Sequence, residues 1–288
     1  MGRYERTFRR LRGEGRGALV PFLVLGDPDP ETSLDLLEEL LEAGADMLEL
    51  GLPFSDPVAD GPTIQRATQR ALEAGMTPQR GFELIRELRR RHPEVPIGLL
   101  AYTNTAHRMG PEAFYRQAAA SGVDSVLLAD LPVEEAGPFC RAASAHGVAP
   151  IFLVTPTTSD RRLPSILAAS TAFVYVVSVP GVTGARERLE ARTLETLRRV
   201  RAQTDLPLLV GFGVSRPEHI PPLLRAGADG VIVGSALIAR VEQLLLGGEA
   251  TSESGRGSRR AQLREVGRWL RALRRACACG AGDGNEKR

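Results

Sequence analysis

Short uninterrupted apolar runs alternate with stretches in which apolar residues recur every three or four positions, from the start of the chain to about residue 240. The runs are Leu19–Leu25, Met47–Gly51, Ile97–Ala101, Ser125–Ala129, Pro150–Val154, Phe173–Ser178, Leu208–Phe212 and Val231–Gly234. They lack the polar alternation of a half-exposed strand, so the pattern predicts strands buried on both faces. The intervening stretches read as amphipathic helices; Glu31–Glu42, for example, carries Leu34, Leu37, Leu40 and Leu41 on one side. Eight such units predict an α/β fold, a single (β/α)8 barrel of parallel strands. An extra helix is expected ahead of the first strand. The long interval from Gly51 to Ile97 has room for an additional helix in the second unit, as Thr63–Glu73 and Pro78–Arg90 separated at Gly75. An open doubly wound sheet would repeat in the same way, but no dinucleotide fingerprint follows the first strand.

A weak internal repeat accompanies the alternation. Ala43-Gly44-Ala45-Asp46, Ser121-Gly122-Val123-Asp124 and Ala226-Gly227-Ala228-Asp229 each end a helical pattern and precede a strand. The glycine suits a left-handed helix C-terminus. At the other end of the strands the chain turns polar or rich in Pro and Gly, as in Gly26-Asp27-Pro28, Asp130-Leu131-Pro132 and Thr155-Pro156-Thr157. Those loops would form the catalytic face of a barrel. Beyond Gly247 the character changes, so the reading assigns 1–247 to the barrel, 248–276 to a loop and a final outer helix of the same domain, and 277–288 to a disordered tail. Ser258–Ala276 has Leu263, Val266, Leu270 and Leu273 on one face. Arg256–Arg275 holds eight arginines against Glu265 alone; this reads as a solvated outer face, or else as a contact for an anionic partner.

Composition narrows the chemistry. The sole lysine among 37 basic residues is Lys287. Schiff-base chemistry and internal attachment of pyridoxal phosphate need a lysine amine, and a phosphate-binding Walker loop needs Gly-Lys-Ser/Thr; none fits here. The four histidines, His92, His107, His146 and His219, show no ligand spacing, so no metal site is expected. A net charge of +2 gives no reason to invoke nucleic acid. No run approaches a membrane span, and the Arg-rich start lacks the apolar core of a secretory signal. Three cysteines make no disulfide framework, so the reading is a reducing, cytoplasmic setting.

Carboxylates, hydroxyls and backbone amides must then do the work. Glu49 sits inside an apolar strand, where a carboxylate needs a purpose or a partner. An apolar pocket raises a glutamate pKa toward neutrality and suits it to acid and base roles; the alternative is a structural Glu paired with an arginine. Asp60 follows on a loop restricted by Pro53 and Pro57. It could share a substrate with Glu49, or cap the helix opening at Pro62; Asp56, on the same loop, is equally plausible by charge. Gly181-Val182-Thr183-Gly184, Gly211-Phe212-Gly213 and Gly234-Ser235 end the sixth, seventh and eighth strands, where a barrel commonly binds phosphate. Phe22, Leu100, Tyr102, Leu127, Tyr175 and Phe212 point to a flat apolar substrate over the barrel mouth, although each could be core and for Leu127 core is the safer reading.

Leu48-Glu49-Leu50-Gly51, Pro53-Phe54-Ser55-Asp56-Pro57 and Ala59-Asp60-Gly61-Pro62-Thr63-Ile64-Gln65 together resemble the signature of the tryptophan synthase alpha chain family. Pro21-Phe22, Gly26-Asp27-Pro28, Pro96-Ile97-Gly98-Leu99-Leu100, Gly122-Val123-Asp124, Gly181-Val182-Thr183-Gly184 and Gly211-Phe212-Gly213 match as well, so that the likeness runs from Tyr4 to about Ile238. The resemblance implies a TIM barrel that cleaves indole-3-glycerol phosphate to indole and glyceraldehyde 3-phosphate, the late steps of tryptophan biosynthesis. It implies Glu49 and Asp60 as catalytic, Gly184, Gly213, Gly234 and Ser235 at the phosphate, and Thr183 on a mobile loop. It also implies a beta-chain partner in an alpha-beta-beta-alpha tetramer, facing Pro53, Asp56, Asn104 and Pro132. Pyridoxal phosphate would belong to that partner, and this chain would carry no cofactor. Pro180, Leu153, the stretch Thr103–Met109 and everything after Gly247 depart from the family pattern. A stand-alone lyase without a beta chain, and a non-catalytic phosphate-ligand barrel, are the alternative functions.

Overall fold

The computed structural model describes residues 1–177, 186–211, 213–246 and 255–278. Its parallel strands are β1 (Ala18–Val24), β2 (Leu48–Gly51), β3 (Ile97–Ala101), β4 (Ser125–Leu128), β5 (Ala149–Ile151), β6 (Leu153–Val154), β7 (Val174–Val177), β8 (Leu208–Gly211) and β9 (Gly230–Val233). Their order around the sheet is β5-β4-β3-β2-β1-β9-β8-β7-β6. The two ends of this sheet, β5 and β6, are consecutive pieces of one line of chain. Residues 149–151 pair with β4 and residues 153–154 with β7, with Phe152 between them. The expected eight-stranded ring is therefore present, with its fifth line broken at one residue. A strand inside an otherwise uniform apolar run gives no sign of such a break, because Phe152 is itself apolar and buried.

Helices cover the outside. Pro30–Glu42 starts where the Asp29 carboxylate accepts the Thr32 N–H at 2.9 Å, a side-chain cap on the first turn. Pro62–Glu73 and Pro78–Arg91 fill the long second unit. The extra N-terminal helix, Arg3–Gly13, closes the bottom of the ring. Tyr4 and Phe8 are buried, and the Tyr4 hydroxyl lies 2.8 Å from Ser125 Oγ at the start of β4. The last helix, Gly255–Ala276, buries Leu263, Val266, Leu270 and Leu273 and packs on Pro30–Glu42. A side chain at Gly267 would collide with Glu39, so the glycine permits this close approach. Arg260, Arg264 and Arg268 line the outer face. Cys277, which the sequence places in the tail, is fully buried, and its carbonyl accepts the Gly17 N–H at 3.0 Å. Its thiol continues the apolar face of that helix by one more position and donates to the Leu273 carbonyl at 3.5 Å. Residues 279–288, including Cys279, lie outside the described residues. No helix among the described residues is long and apolar enough to cross a membrane.

The Gly-x-Asp repeat has a structural use. Gly44, Gly122 and Gly227 have φ of 97°, 88° and 105°, a region costly for other residues. Each following aspartate fastens its own strand to the preceding one. The Asp46, Asp124 and Asp229 carboxylates accept the backbone N–H of Leu19, Ile97 and Leu208 at 3.0, 2.8 and 2.9 Å. Their own N–H groups donate to the carbonyls of the same three residues. An arginine completes each clasp: Arg16 forks onto Asp46 at 2.7 Å through both terminal nitrogens, Arg89 meets Asp124 at 2.7 Å, and Arg201 meets Asp229 at 3.0 Å. All three clasps lie where strands begin, at the end of the barrel remote from the polar loops.

Candidate active site

The opposite end of the barrel holds a cavity of about 360 Å³. Phe22, Glu49, Leu100, Tyr175 and Ile232 reach it from β1, β2, β3, β7 and β9, and Asp60, Ile64, Gly213–Ser215 and Gly234–Ala236 from the loops and helices above. It therefore sits off the barrel axis, away from β4–β6. Of its wall, Phe22, Glu49, Asp60, Leu100, Tyr175, Gly213, Gly234 and Ser235 were expected from the sequence. Ile64, Val214, Ser215, Ile232 and Ala236 were not: Ile64, Ile232 and Ala236 are apolar residues in an apolar strand or helix, which carry no sign of facing a ligand, and Val214 and Ser215 simply follow Gly213 in its loop.

Glu49 is held rigidly. Its strand pairs with β1 at Phe22 and with β3 at Gly98. The residue is only 5% exposed, and burial alone pushes its pKa up to about 8. Its Oε2 has no hydrogen-bond partner among the described residues. No arginine among the described residues neutralises it. A buried, unmet carboxyl oxygen is costly, and here it borders a space large enough for a ligand. The structural reading of Glu49 as one half of an ion pair therefore fails.

Asp60 lies on the loop between β2 and the helix Pro62–Glu73. Burial raises its pKa, and a side-chain hydrogen bond with Tyr102 partly offsets this. The Tyr102 hydroxyl also accepts the Ala59 N–H at 3.1 Å, and its ring stacks on Phe54 at 5.2 Å. Tyr102 thus holds the loop from behind rather than lining the cavity as the sequence suggested. Its strand ends below the loop, which brings the hydroxyl up against the loop backbone. Asp56, the competing acid, is exposed, takes a hydrogen bond from Ser55 Oγ at 2.6 Å and borders a different hollow with Phe54 and Val58. Leu127 also lies elsewhere: one strand further round the ring than Leu100, it borders a separate hollow beside Phe152 and Leu153.

Tyr175 is fully enclosed, with its pKa driven well upward by burial. A side chain at Gly211 would collide with the Tyr175 hydroxyl, so this glycine makes room for the ring. Gly213 has φ of 79°, which lets the backbone turn toward the cavity. Ser235 opens the helix Ser235–Val241, whose first N–H groups have no partner within the helix. Gly184, Thr183 and Phe212 lie outside the described residues. Of the residues expected to meet a partner, Asp56, Asn104 and Pro132 are exposed while Pro53 is buried. Pro53 directly continues the buried end of β2, which keeps its ring inside. Thr103 ties two of these loops together, donating its N–H and hydroxyl to Asp130 at 2.7 Å each. No group of three or more potential metal ligands occurs among the described residues.

Comparison with known proteins gives one consistent family. The pattern of the tryptophan synthase alpha chain matches residues 8–265. The tryptophan synthase alpha chain of Methanothermobacter thermautotrophicus is 54% identical over 235 residues, covering 82% of this chain and 86% of that protein. That of Escherichia coli is 48% identical over 243 residues, covering 84% and 91%. Among solved structures, the alpha subunit from Legionella pneumophila superposes with a TM-score of 0.83 at 34% identity, covering 96% of this chain and 98% of that one. A chain of the tryptophan synthase a2b2 complex of Pyrococcus furiosus superposes with a TM-score of 0.79 at 40% identity, covering 90% and 98%.

Proposed function

Since the chain belongs to the tryptophan synthase alpha chain family, its reaction is the carbon–carbon lyase step of tryptophan biosynthesis, and we propose that Glu49 and Asp60 carry out that step. The substrate is indole-3-glycerol phosphate; the products are indole and glyceraldehyde 3-phosphate. The observation that most supports these roles is the unmet, buried Glu49 carboxyl at the cavity wall, with a pKa raised to about 8.

A group so poised can give and take a proton near neutral pH. Glu49 donates a proton to indole C3, which gives an indolenine with positive charge at the ring nitrogen. Asp60 accepts the indole N–H and stabilises that charge. The Glu49 carboxylate then removes the proton from the hydroxyl on the carbon attached to C3. The electrons of that O–H bond form the aldehyde, the C3–carbon bond breaks, and its electrons restore the indole ring. Glu49 ends protonated, as it began. Phe22, Leu100 and Tyr175 hold the ring, and the backbone amides at Gly213, Gly234 and Ser235 receive the phosphate. Gly184 is assigned to the same phosphate and Thr183 to the loop that closes over it.

The partner is a tryptophan synthase beta chain. Exposed Asp56, Asn104 and Pro132 are assigned to the surface that meets it, with pyridoxal phosphate in the beta chain. The free thiol Cys140 supports a cytoplasmic setting. Steady-state cleavage of indole-3-glycerol phosphate tests the roles. Glu49→Gln is expected to lose at least the ~10²–10⁴-fold contribution of one acid–base group. Asp60→Asn should be severely impaired while still binding phosphate ligands, and Asp56→Asn should cleave normally. Near-normal turnover by Glu49→Gln would remove the assignment.

A further inference from the structure

One ion-pair network stands at the catalytic end of the barrel rather than at the clasped end. Asp27 lies just beyond β1, and its side chain is 0% exposed. Arg70, on the helix Pro62–Glu73, forks onto it with Nε at 2.7 Å and Nη2 at 3.0 Å. The third nitrogen of Arg70 reaches Glu242 Oε1 at 3.3 Å. Arg66, one turn earlier on the same helix, forks onto Glu242 from outside at 2.9 and 2.8 Å.

The elements joined are the two walls of the cavity. The helix bearing Arg66 and Arg70 begins two residues after Asp60 and contributes Ile64 to the wall. Glu242 directly follows Ser235–Val241, the helix whose first residues receive the phosphate in the reading above. A substrate with a ring at one end and a phosphate at the other must touch both walls. Bidentate arginine–carboxylate pairs fix direction as well as distance. Two arginines one turn apart on a single carboxylate also stop the helix from sliding along its neighbour. We propose that the Asp27–Arg70–Glu242 brace sets the span between the Asp60 wall and the Ser235 wall, making Arg70 and Glu242 positioning residues for a ligand that bridges them.

The inference rests on the substrate assignment above, so its test uses binding as well as turnover. Removing Asp27 would strand the arginine, and the partly exposed Glu242 leg is the one to cut. In full-length Glu242→Gln and Arg70→Lys, two dissociation constants are measured by calorimetry. One ligand is indolepropanol phosphate, an unreactive molecule that spans both walls. The other is glycerol 3-phosphate, which reaches the phosphate wall alone. Glu242→Gln should weaken the spanning ligand by roughly tenfold, well inside the ~10²-fold that a 1 Å misplacement can cost, and leave glycerol 3-phosphate within about twofold. Its KM for indole-3-glycerol phosphate should rise in parallel with kcat nearly unchanged. Arg70→Lys keeps the charge without the fork, and should show the same selective loss, larger. Unchanged binding of both ligands, or equal loss of both, overturns the brace whatever happens to Tm. Selective loss in a protein that never cleaves indole-3-glycerol phosphate would instead reject the assigned reaction and leave the brace standing.

Discussion

Two sets of buried carboxylates, the aspartates of the clasps and the acids bordering the cavity, are treated in opposite ways; Asp27, at the cavity end but paired with Arg70, goes with the first set. Where strands begin, Asp46, Asp124 and Asp229 each have a backbone N–H and an arginine. Where strands end, and among the described residues, Glu49 has an oxygen with no partner and Asp60 has a tyrosine hydroxyl rather than a cation. The chemical groups are nearly the same, and all of them lie on or beside rigid strands. What differs is whether the surroundings finish the job of solvating them. A carboxylate met by a backbone N–H and an arginine holds two strands together. One left unmet is unstable as an anion, and so remains available to a substrate. The same fold thus assigns opposite tasks to similar side chains by setting an arginine against some and empty volume against others.

This contrast can be tested by exchanging the two situations. The largest stability effect is expected for Asp46→Asn. Arg16 and Asp46 are 6% and 3% exposed, and breaking a buried pair from one side costs about 3–5 kcal/mol. Urea unfolding should show that loss, while kcat of the folded fraction stays at its normal value. A fall in kcat without loss of stability would merge the two classes.

A second effect, of comparable size but spread over pH, is expected for Glu49. Its folded pKa of about 8 lies above the ordinary 4.5, so the folded protein retains a proton that the unfolded chain has released. That contribution is complete below about pH 4.5 and is lost as pH rises through about 8. Glu49→Gln cannot ionise, so its Tm should gain on that of the unaltered protein across this window and run parallel above it. In the unaltered enzyme, kcat/KM should fall above about pH 8 as the acid loses its proton. A constant Tm difference from pH 5 to 9 would show that Glu49 has an ordinary pKa.

The smallest effect concerns the hinge of one clasp. Gly122→Ala places a side chain at φ 88°, against Arg89, and the left-handed conformation alone costs about 1–2 kcal/mol. Thermal unfolding should register it, with turnover unaffected.

The strands were legible because residues buried on both faces leave a continuous apolar signature. That same signature hid which side faces a ligand. Ile232 and Val231 look alike in sequence, yet only Ile232 meets the cavity. Glu49 was legible because it violates the pattern. That Asp60 rather than Asp56 borders the cavity could not be read from their shared loop, since the Tyr102 hydroxyl bonded to Asp60 comes from beyond another strand. The Gly-x-Asp repeat was visible, but its arginines come from other parts of the chain, so its purpose was not. Nothing in the sequence marks Arg70, since its carboxylates are 43 and 172 positions away.

The interrupted fifth line has a mechanical consequence. No residue of that line belongs to both neighbouring ladders, so the circle is completed there by a covalent link rather than by lateral bonding. The Tyr175 N–H to Phe152 carbonyl bond at 3.3 Å flanks that link. From above, Arg162, beyond β6, forks onto Glu134, beyond β4, at 2.7 and 2.9 Å, so an ion pair spans the interval that the ladders leave open.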